Sequence, residues 1–211
     1  MPETHIRDGS FSTIVVILAT MNIGLCGSHR TGKTTLAEAI SVKTGMPFVR
    51  TNTSGVFRKC GIDPAEAFDL NKRLWIQDKI LKAAEIMWDA EHKQFITDRT
   101  PLDMAAYTLG DILGSTEVNF IELEGYLSRC IEATNKFFRQ LVLVQPGIPL
   151  VHEEGKAALN EGYLEHLNFL VLGLCNDERI KSDLLCIPRH MKSIEDRAAL
   201  ILTTLDNRGA N

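Results

Sequence analysis

No block of like charge and no long apolar run dominates this chain. Lysine and arginine number 23 against 27 aspartate and glutamate, for a net charge of −4. The basic excess of a general polyanion binder is missing, which argues against long nucleic acid as a partner while leaving room for a local basic cleft. The most apolar early stretch, Ile14 to Ala19, is too short to span a bilayer. Its flank carries no clearly positive segment, so a secretory leader is disfavoured and no membrane partner is expected. Cysteine is sparse. Cys26, Cys60, Cys130, Cys175 and Cys186 are odd in number, scattered, and form no C-x-x-C pair. That pattern excludes a disulfide framework and points to reduced thiols, mostly core residues, in a cytoplasmic compartment. The six histidines lack metal-ligand spacing, and there are no repeats or low-complexity tracts. What remains, 211 residues at 45% apolar and 24% charged, is the composition of one globular α/β domain with a sizeable core.

Residues 27–34 read Gly27-Ser28-His29-Arg30-Thr31-Gly32-Lys33-Thr34, a complete G-x-x-x-x-G-K-[ST] phosphate loop. Each element answers to a property of a triphosphate. The glycines allow a wrap tight enough for backbone N–H groups to face phosphate oxygens. Lys33 supplies a cation for the β- and γ-phosphates, and the Thr34 hydroxyl is a Mg²⁺ ligand. His29 is read as contributing its backbone, and Thr35 continues the loop into the helix. The flanks have the required character. Asn22 to Cys26 is short and mostly apolar, as a buried strand should be, and Leu36 to Ile40 is good helix material. A nucleoside triphosphate with Mg²⁺ is therefore expected, and the motif does not separate ATP from GTP.

Turn and cap signals then divide the chain. Strands are expected over 47–51, 94–97, 140–144 and 183–187, after the one that precedes the loop. Gly45 reads as a helix C-cap, and 52–55 as a polar turn. Asp63-Pro64-Ala65-Glu66 has the cap chemistry of a helix start and predicts a helix running to about Glu91. Pro101 opens a further helix to about Asp111, and Ser115 or Thr116 caps one running to about Phe138. Residues 152–162 read as a mobile loop, followed by a helix over about 163–175. Ser193 and Asp196 are an N-cap and its N3 partner for the last helix. Alternating strands and helices predict a five-stranded parallel sheet covered by helices on both faces. Residues 1–20 are expected to be an N-terminal extension, with Met21 an alternative native start. A single domain is expected over 21–206 and a flexible tail over 207–211.

Asp98-Arg99 follows the third strand. Ligands of parallel sheets gather at the carboxyl ends of strands. An aspartate there can hold Mg²⁺ through water; its structural alternative is to cap the helix opened by Pro101. Arg99 offers a planar fork suited to phosphate.

From here the chain resembles the small P-loop kinases of nucleosides and nucleoside monophosphates. The resemblance covers Met21 to about Leu205. The segments Val49 to Phe57, Arg73 to Gln77 and Asp98 to Asp103 are similar to the phage-type deoxynucleoside monophosphate kinase-like group. It implies an ATP-dependent kinase whose acceptor is a deoxynucleoside monophosphate, including one with a modified base. A nucleoside, nicotinamide riboside or hydroxymethylated base in DNA stands as the alternative acceptor. A nucleotide-gated regulatory ATPase is the alternative of another class. The resemblance further implies that Thr51, Thr53 and Ser54 line the acceptor pocket and that Arg73 holds an acceptor phosphate. Gln77, one turn on, is implied to pair with a base edge, or else to lie on a solvated helix face. Tyr107 stacks on a base or packs in the core. The 152–162 loop corresponds to the lid, with Lys156 as the charge for the transition state, and Arg189 flanks the adenine. The arginines common in such lids are missing from it. A viral source would make the compartment the host cytoplasm, and a homodimer is compatible with the resemblance.

Overall fold

A computed structural model of the protein describes residues 21–63, 66, 68–91, 94–150 and 160–209. The expected extension (1–20) and most of the expected lid lie outside the described residues.

Five strands form one sheet: β1 (Ile23–Cys26), β2 (Phe48–Val49), β3 (Ile96–Thr97), β4 (Gln140–Val144) and β5 (Asp183–Ile187). Every neighbouring pair is parallel, in the order β2-β3-β1-β4-β5. The crossovers are helical: α1 (Lys33–Thr44), α2 (Thr53–Lys59), α3 (Leu70–Ala90), α4 (Pro101–Gly110), α5 (Phe120–Phe137), α6 (Glu161–Cys175), and finally α7 (Ile194–Gly209). This is the predicted five-stranded parallel sheet.

The period of two along a strand divides the core. Ile23 and Leu25 of β1 join Val142 and Val144 of β4 in a cluster under α1 and α7. Cys26, Leu141 and Leu143 face the opposite cluster, with α3, α4, α5 and α6. Both faces of the sheet are thereby apolar, as parallel sheets require. Trimming one of these buried leucines to alanine would cost about 2–5 kcal/mol. Gly24 sets a close approach on the second face. A Cβ there would stand 2.6 Å from Thr100 Cγ2, so only glycine lets the start of α4 sit against β1.

Several boundaries differ from expectation. The turn predicted at 52–55 is the start of α2, because Asn52 Oδ1 accepts the Gly55 N–H at 2.9 Å and caps it. The long helix begins at Leu70 rather than near Asp63. Asp69 is the cap in use, accepting from Lys72 N–H at 2.7 Å. Helix α2 ends at Lys59 and Gly61 turns left-handed at φ 65. The Asp63 cap signal thus falls in a connection between two helices. Helix α5 is capped by Asn119, not by Ser115 or Thr116. The Thr116 hydroxyl instead accepts from Leu113 N–H at 2.8 Å and closes a turn. Strands β2 and β3 are shorter than predicted. Ser193 does cap α7, accepting from Asp196 N–H at 3.2 Å. That helix continues to Gly209, into the segment expected to be a tail. Cys26, Cys130 and Cys175 are buried, Cys60 is half-buried and Cys186 is exposed.

Candidate active site

Strand β1 ends at Cys26 and the chain wraps at once. Gly27 has φ 138, Arg30 φ 60 and Gly32 φ 85. A Cβ on Gly27 would lie 2.4 Å from the Val144 carbonyl oxygen, so the loop grips the end of β4 with no room for a side chain. Ser28 and Thr31 are buried, and Thr31 Oγ1 donates to Ser28 O at 3.1 Å. Lys33 Nζ donates to the carbonyls of Gly27 and Ser28, both at 2.7 Å. Helix α1 opens on Gly32 with no side-chain cap and no acidic residue in its first turn. Its first N–H groups and dipole are therefore available to an anion. Thr35, one residue beyond, is exposed.

Two carboxylates complete this half of the site. Asp98, just past β3, accepts from Thr34 Oγ1 at 2.6 Å and from Thr51 N–H at 3.5 Å. The two predicted metal ligands thus meet at one point. An oxygen donor pair beside a phosphate cradle suits Mg²⁺, which keeps waters and takes its other ligands from phosphates. Asp98 does not cap α4; Thr100 does. The second carboxylate, Asp103, is buried. Its Oδ1 accepts the Gly27 N–H at 2.9 Å, and its Oδ2 accepts Thr100 N–H at 2.7 Å and Thr100 Oγ1 at 2.8 Å. Lys33 Nζ stands 4.0 Å from it. Asp103 thus ties the first turn of α4 to the first residue of the phosphate loop. Burial lowers the Lys33 pKa, an effect that Asp103 opposes.

The expected acceptor residues divide. Thr51 and Thr53 stand at the end of β2 and line a second cavity of about 260 Å³ with Ile80, Ala84 and Met87. Thr53 Oγ1 is buried without a partner among the described residues, while Ser54 is exposed. Arg73 forms an ion pair through Nε with Asp111 Oδ2, and its guanidinium lies 4.8 Å over the Phe68 ring. Gln77 is buried rather than solvated, and its Oε1 has no partner among the described residues. A buried amide oxygen left unpaired is costly, so this position asks for a donor. Arg99 lies over the Tyr107 ring at 5.3 Å. Tyr107 is half-buried, its hydroxyl 3.2 Å from His29 Nδ1, and burial pushes its pKa to about 12.

Beside the loop lies a larger cavity of about 460 Å³, lined by His29, Arg30, Thr31, the 146–150 segment and the first turns of α6. Tyr163 of α6 stands with His29 at 6.0 Å between ring centroids. Burial, with Lys33, Arg30 and Arg99 nearby, pulls the His29 pKa down to about 4. Arg189 is paired with Glu165, a residue of the cavity lining. Its Nη1 and Nη2 donate to the two oxygens of Glu165 at 2.5 and 2.8 Å, and that pair holds Glu165 below its usual carboxylate range. Lys156 lies outside the described residues.

Asp103, Asp111, Glu165 and Tyr163 contact residues of the candidate site, and the sequence alone does not single them out. Asp103 had a local signal, since Thr100-x-x-Asp103 is capping-box spacing. The other three are brought in by long-range packing, which no local pattern reports.

A family model described as "ATPase family associated with various cellular activities (AAA)" matches residues 23–98, from β1 through Asp98. No curated protein gives a significant sequence match. Solved structures do match. Deoxyadenosine kinase from M. mycoides, with the products dCMP and dCDP bound, is 16% identical at a TM-score of 0.63, over 89% of this chain and 99% of that one. Thymidylate kinase from Candida albicans is 13% identical at 0.59, over 92% and 94%. The NadR protein in complex with NAD and AMP-PNP is 14% identical at 0.57, over 90% of this chain and 52% of that one. The chain has the open, all-parallel P-loop fold of deoxyadenosine kinase and thymidylate kinase.

Proposed function

We propose that the protein is an ATP-dependent kinase that transfers the γ-phosphoryl group to a deoxynucleoside monophosphate. The observation that carries this reading is the 2.6 Å contact between Thr34 Oγ1 and Asp98 Oδ2. It joins the hydroxyl of the phosphate loop to the carboxylate after β3 beside Lys33 and the uncapped start of α1. Mg²⁺, when bound, neutralises charge on the β- and γ-oxygens and aligns the phosphates. The chain's own residues do the rest. The loop N–H groups orient the phosphates. Lys33, whose ammonium already bonds two loop carbonyls, offsets charge that builds on the β- and γ-oxygens. Arg99, now over the Tyr107 ring, would serve as a phosphate fork between donor and acceptor. Lys156 and the surrounding lid would exclude water, and Arg189 would border the adenine at the 460 Å³ cavity.

The end of β2 favours a phosphate acceptor. Arg50-Thr51-Asn52-Thr53 offers hydroxyl and amide groups and no carboxylate of its own, and the carboxylate that meets Thr51 N–H, Asp98, is engaged by Thr34. A sugar hydroxyl needs a general base to attack, whereas a phosphate is already anionic at neutral pH. Thr51, Thr53, Gln77 and Tyr107 would then receive the nucleoside, with Gln77 Oε1 meeting a base donor. One observation favours a second reading, a nucleoside acceptor. Arg73, expected to hold the acceptor phosphate, is already paired with Asp111.

The test is incubation with Mg-ATP and matched deoxynucleosides and deoxynucleoside monophosphates, base-modified ones included, with products resolved by mass. Diphosphates from monophosphates support the proposal. Monophosphates formed from nucleosides move the acceptor. Phosphate added to neither overturns the kinase reading.

A further inference from the structure

We propose that Arg197, reaching from α7 to the back of the phosphate loop, is a positioning residue for the donor polyphosphate. The inference rests on the nucleotide site of the preceding section and assigns a new group to it.

Arg197 is 0% exposed. Its Nη1 donates to the Thr31 carbonyl at 2.9 Å and its Nε to the Met191 carbonyl at 2.6 Å. Its Nη2 has no partner, and no carboxylate pairs with the guanidinium, among the described residues. A Cβ on Gly32 would lie 3.6 Å from Nη1, so the cation stands against the residue that opens α1. Two consequences follow. In a trans peptide the C=O and N–H point in opposite directions. Holding the Thr31 carbonyl toward Arg197 therefore turns the Gly32 N–H away from α7, toward the side where phosphate would lie. The second is electrostatic. A buried charge without a counter-charge is unfavourable, and here only carbonyl dipoles attend it. A polyphosphate across the thin wall of the loop supplies the missing negative charge. Burial lowers the Arg197 pKa, with no acid nearby to oppose it.

A merely structural arginine would behave otherwise. It would tie α7 to the loop and stabilise the protein with or without nucleotide. A positioning role separates the two properties. Removing the cation should weaken polyphosphate binding and leave adenosine binding alone, whatever the loss of its two carbonyl contacts costs in stability.

The experiment compares native protein, R197M and R197K by thermal midpoint without ligand, by calorimetric titration with Mg-AMP-PNP, and by ligand-observed NMR with adenosine. Expected for R197M is AMP-PNP affinity about 10-fold or more weaker and unchanged adenosine binding, with the midpoint used to verify that the variant is folded. R197K, which keeps the charge but not the fork, should fall between. Unchanged AMP-PNP affinity in R197M, or equal losses for AMP-PNP and adenosine, would overturn the proposal. If R197M does not fold, R197K decides: weaker AMP-PNP with unchanged adenosine supports it, and unchanged AMP-PNP refutes it. Native protein that fails to bind AMP-PNP removes the nucleotide site itself and the inference with it. Native binding with an unaltered R197M removes the inference alone.

Discussion

In the proposed kinase reading, the donor side and the acceptor side of the site are built by different means. On the donor side, eight consecutive residues supply the cradle, and the fold adds three remote groups: Asp98, Asp103 and Arg197. Most of the recognition is backbone, fixed by two glycines with positive φ and by the clamp of Asp103 on Gly27 N–H. On the acceptor side, the groups come from the end of β2 and from α3 and α4. They are side chains, and several are already engaged, Arg73 with Asp111 and Arg99 over Tyr107. Others, Gln77 Oε1 and Thr53 Oγ1, are buried and unpaired among the described residues. A phosphate needs charge and N–H groups, which one short motif can provide. A base and sugar need shape and paired polar edges, which only packed helices can provide.

Substitutions that separate the two sides should show it. The largest effect belongs to Lys33→Ala, which should lower kcat by about 10²- to 10³-fold with the thermal midpoint little changed. A loss confined to acceptor KM would contradict the donor role. Asp98→Asn should follow, with activity down by about 10- to 100-fold and the Mg²⁺ requirement raised. Titrating Mg²⁺ in activity assays checks it, because a purely structural Asp98 would leave that requirement alone. Asp103→Ala should act through the fold. Removing a buried carboxylate with three donors should destabilise by about 3 kcal/mol, read as a denaturant midpoint shift. On the acceptor side, Gln77→Leu should raise acceptor KM by about 10-fold. Donor KM and stability should hold, since no protein donor is lost. Equal changes in both KM values would merge the two sides.

The smallest effect is a pH dependence. His29 titrates at about 4 in the folded protein against an ordinary 6.5, so between those values the unfolded chain binds more protons. Its contribution to stability is complete above about 6.5 and fades as the pH falls toward 4. His29→Gln should flatten that decline in melting experiments.

This contrast also explains what the sequence made legible. The phosphate loop, the alternation of strands with helices and the Ser193 cap are legible because each is a local pattern. Asp98 was readable because it follows a strand. The α2 helix was not, because Asn52 turned an apparent turn into a cap. The start of α3 was misread because Asp63-Pro64 and Asp69 offer competing caps, and packing chose the second. Asp111, Glu165 and Arg197 left no local trace. Their roles depend on partners 38, 24 and 166 residues away. Gln77 was read as equally a base reader or a solvated side chain, and burial alone removes the second option.

The central claim is phosphoryl transfer to a small acceptor, and the most direct measurement is the ratio of phosphorylated acceptor to ADP formed under single-enzyme conditions with Mg-ATP. The account predicts a ratio near one, with ADP formation slow until acceptor is added. ADP and free phosphate accumulating at the same rate with and without acceptor would contradict it and identify a nucleotide-hydrolysing switch instead.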